Sequence, residues 1–129
     1  MDSKALLDKL DKLSELLCVD RASRHWWYQR MTAVALVPLS FWLIVLLDKA
    51  LNAPYADTLA WLSSPLNAIV ILAWTLAVIY HAALGVQVVL EDYVSTIAIR
   101  EKSIWATNLI FIVLGLAALL AIFRILLIG

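Results

Sequence analysis

The stretch Ser103–Phe123, SIWATNLIFIVLGLAALLAIF, carries no charged side chain. A helix rises about 1.5 Å per residue, so roughly 20 such residues cross the ~30 Å hydrocarbon layer of a bilayer. Two further stretches, Met31–Leu47 and Thr58–Leu90, are equally free of Asp, Glu, Lys and Arg. In lipid each must be helical, because only a helix satisfies every backbone donor and acceptor within one segment. The pattern predicts an all-α integral membrane bundle with three spans, at about 30–50, 60–90 and 103–128.

Composition agrees. Apolar residues make up 64% of the 129 and charged residues only 16%, where soluble domains average about 25% charged. The length leaves no room for a separate soluble domain. Formal net charge is zero and no basic stripe is present, which argues against nucleic acid as a partner. The single cysteine, Cys18, excludes an internal disulfide and an iron–sulfur or other cysteine-built metal site, and reads as an apolar helix-face residue. No glycine-rich phosphate loop or water-exposed catalytic triad is visible.

Around the spans the chain divides into an N-terminal extension, 1–21, and an anchor, 22–129. The extension reads as an amphipathic helix. Leu6, Leu10, Leu13 and Leu17 repeat at spacings of three and four, with Asp8 and Lys12 on the wet side. Acids at Asp2, Asp8, Asp11 and Glu15 interrupt any compact apolar core, so it does not resemble a cleavable signal. Such a helix suits a membrane surface or a partner. Arg21 to Arg30 is basic and aromatic, as chain entering a bilayer tends to be. Pro38 is expected to bend the first span, and Asp48 and Lys49 to close it. A short loop through Pro54, Tyr55 and Asp57 follows, and the second helix is expected to start between Leu59 and Leu66, with Pro65 near its beginning. Arg124 can extend its head to the interface.

Lysine and arginine counts set the orientation. Lys4, Lys9, Lys12, Arg21, Arg24 and Arg30 precede the first span and Arg100 and Lys102 lie in the second loop, against Lys49 alone in the first loop. The N-terminus and second loop are expected on the cytoplasmic side of a bacterial cytoplasmic membrane (or the matrix side of a mitochondrial one), and the C-terminus on the periplasmic side.

His81 is the one ionisable residue deep inside a span, roughly 15 Å below the end of its helix at Glu91. Intramembrane ionisable residues are functional candidates, though an interhelical hydrogen bond that only joins helices explains a histidine equally well. Gly85 lies one turn away on the same face, with Ala77 and Ala82 nearby. Glycine lets a planar ligand approach the backbone, and neutral imidazole is a common haem iron donor. Small residues also suit close helix packing. A second histidine at that depth is lacking, because His25 lies at the interface, so bis-histidine ligation needs another chain. Asp92 and Tyr93 end the same helix. A tyrosine hydroxyl there can donate to a quinone carbonyl, and an interfacial Tyr beside a helix-end acid is also commonplace. Arg30 enters at the same level and suits Asp92, a haem propionate or a quinone oxygen, or simply sets topology.

The run from His81 to Val94, HAALGVQVVLEDYV, resembles the signature of the hydrophobic membrane anchor subunit of succinate dehydrogenase (complex II): a histidine and glycine four apart, then an Asp-Tyr pair at the helix end. The upstream run His25 to Ala33, HWWYQRMTA, is similar to the start of that family's first span. Together the two runs are specific, and the likeness covers most of the chain after about residue 22. The resemblance implies His81 as one axial ligand of a haem b, shared with a second anchor subunit that supplies the other histidine, with Gly85 beside the macrocycle. It implies Tyr93 as hydrogen-bond donor to ubiquinone with Asp92 as neighbour, and Arg30 at a haem propionate or in the quinone pocket. An iron–sulfur subunit and a flavoprotein subunit would be carried on the cytoplasmic side. The anchor would be a non-catalytic-core subunit of a succinate:quinone oxidoreductase, without activity of its own. A fumarate reductase anchor, a haem-free structural adaptor and a small transporter are the alternatives, in that order.

Overall fold

The computed structural model describes residues 2–128. Four helices follow in order: α1 (Ser3–Asn52), α2 (Tyr55–Ser63), α3 (Pro65–Tyr93) and α4 (Ile97–Ile128). Three of them, α1, α3 and α4, are long and apolar enough to cross a bilayer. The chain is a multi-pass, all-α membrane protein.

Proline chemistry ends the helices where the chain must turn. Pro54 pushes Ala53 out of the helical region, to φ −108 and ψ 158, and α1 stops. The Lys49 carbonyl, open at that end, accepts from the Ala53 N–H at 2.9 Å and the Thr58 hydroxyl at 3.0 Å. The second bond ties α2 back to α1. Pro65 occupies the first turn of α3, where its missing N–H has no helical partner to lose. Val94, Ser95 and Thr96 separate α3 from α4.

Several boundaries differ from those read in the sequence. The expected division at residues 21 and 22 falls inside an uninterrupted helix, since residues 19–29 hold neither glycine nor proline. At 50 residues, α1 is about 75 Å long, more than twice the hydrocarbon thickness. Its first turns stand clear of the bundle, with every residue from Asp2 to Arg24 exposed. The short loop expected after Lys49 contains the nine-residue α2. The second span starts at Pro65, inside the Leu59–Leu66 window expected for it. The third starts at Ile97 rather than near Ser103, because Arg100, Glu101 and Lys102 continue the helix beyond the apolar stretch. Pro38 lies within α1 without ending it.

Packing is centred on α3, which contacts both α1 and α4, while those two flank it without packing on each other. Across one end α2 touches all three. There Leu62, Ile71 and Ile122 form the buried cluster, with Leu46, Trp61, Leu72 and Ile125 against it. Two tryptophans bond across helices at this end: Trp74 Nε1 to Ser40 Oγ at 3.2 Å, and Trp42 Nε1 to Asn67 Oδ1 at 3.3 Å. The Asn67 amide donates in turn to Trp61 O at 2.9 Å. Lipid tails are as apolar as leucine, so such bonds and close packing hold membrane helices together.

Elsewhere the molecule is open. It exposes 9714 Å², against about 6,800 Å² for a compact soluble chain of its mass. Only Leu62, Ala68, Ile71, Leu84 and Ile122 are buried among the described residues, and none is polar. Helices apolar on every side need lipid or other helices around them.

Candidate functional site

Opposite α2, towards the α3–α4 loop, the α1–α3 seam changes character. On α1, His25, Gln29 and Thr32 follow one another at spacings of four and three and are half-buried, while their neighbours Trp26, Tyr28, Arg30 and Met31 are exposed. A spacing of three or four residues keeps side chains on one helix face. Three polar side chains thus line the seam that α1 shares with α3.

Thr32 meets His81 across it, Oγ1 to Nδ1 at 3.0 Å. The same hydroxyl lies 2.8 Å from Tyr28 O and 3.0 Å from Gln29 O, carbonyls of its own helix. Among the described residues His81 Nε2 makes no hydrogen bond, and it is not enclosed. One turn on, a Cβ at Gly85 would stand 3.4 Å from Gln29 Nε2, so the Gln29 amide lies on the glycine. Gln29 Oε1 is buried without a hydrogen-bond partner. Leaving such an atom unsatisfied costs about 1–3 kcal/mol.

Two cavities flank this region. One of about 1060 Å³ is lined by Arg21, His25, Tyr28, Gln29, Gly85 and Glu91, among others. The second, about 610 Å³, lies between α3 and α4, walled by Ile79, Leu84, Phe111 and Gly115, with His25, Gln87 and Asn108 among its polar positions.

Asp92 and Tyr93 form the last turn of α3, both exposed, with 84% of Tyr93 open. Their place is about 17 Å along the helix from His81. Arg30 is not joined to them. Its guanidinium sits over the Trp26 ring, 4.8 Å from the centroid, on the outer face of α1. The one ion pair among the described residues is Arg24 with Asp20, at 3.0 Å and exposed. The expected possibility of an Arg30–Asp92 pair is therefore not realised within the chain, because Arg30 is a quarter-turn off the face that meets α3.

The residues suit one half of a haem site. An axial ligand needs an imidazole nitrogen free of hydrogen bonds, and His81 Nε2 is free. A planar ligand can approach the helix closely where no Cβ projects, and Gly85 offers such a place with the Gln29 amide over it. No three His, Cys, Asp or Glu side chains converge among the described residues, so His81 enters any metal centre as a single donor.

A family model for the succinate dehydrogenase/fumarate reductase transmembrane subunit matches residues 19–122. The chain belongs to this family. Its relatives include the succinate dehydrogenase hydrophobic membrane anchor subunits of Rickettsia bellii, 38% identical, and Rickettsia conorii, 35% identical, each over 78% of this chain and 81% of the relative. That of Rickettsia felis is 36% identical over 78% of this chain and 84% of its own length. No solved structure gives a significant match. The family match begins at Val19, so most of the projecting part of α1 precedes it.

The sequence alone does not single out Thr32 or Gln29, and it puts His25 outside the first span, at the interface. The signal that finds them is the four-three spacing of polar residues entering an apolar span, read against His81 and Gly85 on the antiparallel helix.

Proposed function

We propose that this succinate dehydrogenase membrane anchor holds one side of a haem b through His81 and shapes a ubiquinone site at the membrane edge with Tyr93 and Asp92. The observation that carries the reading is His81 itself: a half-buried imidazole deep in the α1–α3 seam, held through Nδ1, with Nε2 free and Gly85 one turn away.

Each residue has a defined task. His81 would hold the iron of a haem through Nε2, with a second histidine supplied by another anchor subunit. Gly85 keeps the helix surface flat beside it. Arg30 offers a guanidinium to a carboxylate or quinone oxygen at the membrane edge, which requires it to leave the Trp26 ring. Tyr93 donates its phenolic hydrogen to a quinone carbonyl, and the Asp92 carboxylate beside it biases that donor. A haem, when bound, supplies a one-electron relay. Substrate oxidation takes place in the flavoprotein and iron–sulfur subunits, docked on the cytoplasmic side, where the lysine and arginine excess of the N-terminus and the α3–α4 loop places those segments. The anchor works by holding quinone close to the last electron donor.

The test is a dithionite-reduced minus oxidised spectrum of the complex purified through a tag on this chain, beside His81→Ala and Tyr93→Phe. A b-type band in the wild type, lost in His81→Ala, is expected. Tyr93→Phe should keep the band and reduce quinone about tenfold more slowly, the worth of one hydrogen bond of about 1.4 kcal/mol. A wild-type complex without a b-type band would remove the ligand role and favour a structural adaptor.

A further inference from the structure

We infer that Thr32 is a positioning residue that fixes the tautomer of His81, holding the proton on Nδ1 and leaving Nε2 as the lone-pair nitrogen. The inference rests on the reading of His81 as a haem ligand and adds what sets that ligand up.

A threonine hydroxyl has one hydrogen to give and two lone pairs to accept with. Three groups surround Thr32 Oγ1: Tyr28 O at 2.8 Å, Gln29 O at 3.0 Å and His81 Nδ1 at 3.0 Å. The two carbonyls accept only. In a helix, threonine commonly gives its proton back to a carbonyl three or four residues earlier, and here both such carbonyls are within reach. The hydroxyl proton is thereby committed within α1, and the lone pairs are turned to α3. A neutral imidazole facing those lone pairs must donate, so Nδ1 carries the hydrogen.

The opposite tautomer fits poorly. It would pull the hydroxyl proton away from both carbonyls and put an N–H on Nε2, which makes no hydrogen bond among the described residues. The arrangement also restrains the ring, because the bond joins a side chain of α3 to one whose own proton is held by α1. Metal-bound histidines generally have the second ring nitrogen held in this manner, which fixes orientation and makes the ligand more basic. A more basic ligand favours the oxidised iron, so Thr32 holds the haem potential down.

Three variants and two readouts test this. Thr32→Val keeps the shape and removes the hydroxyl; Thr32→Ser keeps the hydroxyl and removes a methyl; Thr32→Ala stands in should the valine variant not assemble. The readouts are a potentiometric titration of the haem in the purified complex and the low-temperature EPR spectrum of its oxidised form. Loss of the hydroxyl should move the oxidised-to-reduced ratio about tenfold towards reduced at fixed potential, equivalent to about 59 mV upward for one electron, and should shift the low-spin EPR signal. Thr32→Ser should restore both. A haem-bearing wild type whose potential and EPR signal are the same without the hydroxyl overturns the role of Thr32 and leaves His81 as ligand. Serine behaving like valine overturns it equally. A wild type without haem instead overturns the ligand reading on which the inference stands.

Discussion

The two ends of the bundle are built on opposite rules. At the α2 end every helix takes part: Leu62 of α2, Ile71 of α3 and Ile122 of α4 pack together with Leu46 of α1 beside them, and Trp42, Trp74 and Asn67 find partners. Towards the α3–α4 loop two cavities run along the helices, and among the described residues Gln29 Oε1 has no partner and His81 Nε2 makes no hydrogen bond. In a bilayer apolar burial gives little to helix association, so satisfied contacts and unsatisfied polar groups carry the information. One end closes the bundle through contacts of its own, and the other leaves polar groups unpaired among the described residues.

Breaking each end separately sharpens that contrast. The largest effect is expected from Ile71→Asp, which puts a carboxylate without a partner into the closed apolar cluster. The anchor should fall several-fold in the membrane fraction by quantitative immunoblot, with haem and quinone activities falling in parallel. A normal level would show that the cluster does not hold the bundle. Gly85→Leu should act differently. It fills the space beside His81, so the complex should assemble at the wild-type level and lose most of its haem, read as haem per complex. Retained haem would place the macrocycle elsewhere. The smallest effect is expected at Trp42→Phe, which removes one interhelical bond worth about 0.6 kcal/mol. The melting temperature of the complex should drop by about 1–2 °C, with the haem spectrum unchanged.

The same contrast explains what could be read before the fold was known. Charge-free stretches locate lipid, and they located three spans. They do not locate helix ends, because Arg100, Glu101 and Lys102 are good helix formers beyond the apolar layer and nothing stops α1 between Val19 and Gln29. Ends follow local chemistry, which was legible at Pro54 and Pro65. α2 escaped notice because nine residues containing Asp57 show too little periodicity, and its helix is fixed by tertiary contacts such as Thr58 to Lys49 O. On the site side, His81, Gly85, Asp92 and Tyr93 lie on one helix, so spacing within the sequence relates them. Thr32 and Gln29 lie 49 and 56 residues from the groups they meet, His81 and Gly85. Their pairing depends on the register of two antiparallel helices, which one strip of sequence does not contain.

Direct ligation by His81 is the claim on which the open end rests, and exchanging the ligand tests it without emptying the site. In the complex carrying His81→Met, the oxidised haem should lose the low-spin EPR signal of two imidazoles. A raised potential is expected where the thioether binds iron, and a high-spin signal where it does not. A bis-imidazole signal identical to that of the wild type would contradict ligation by His81.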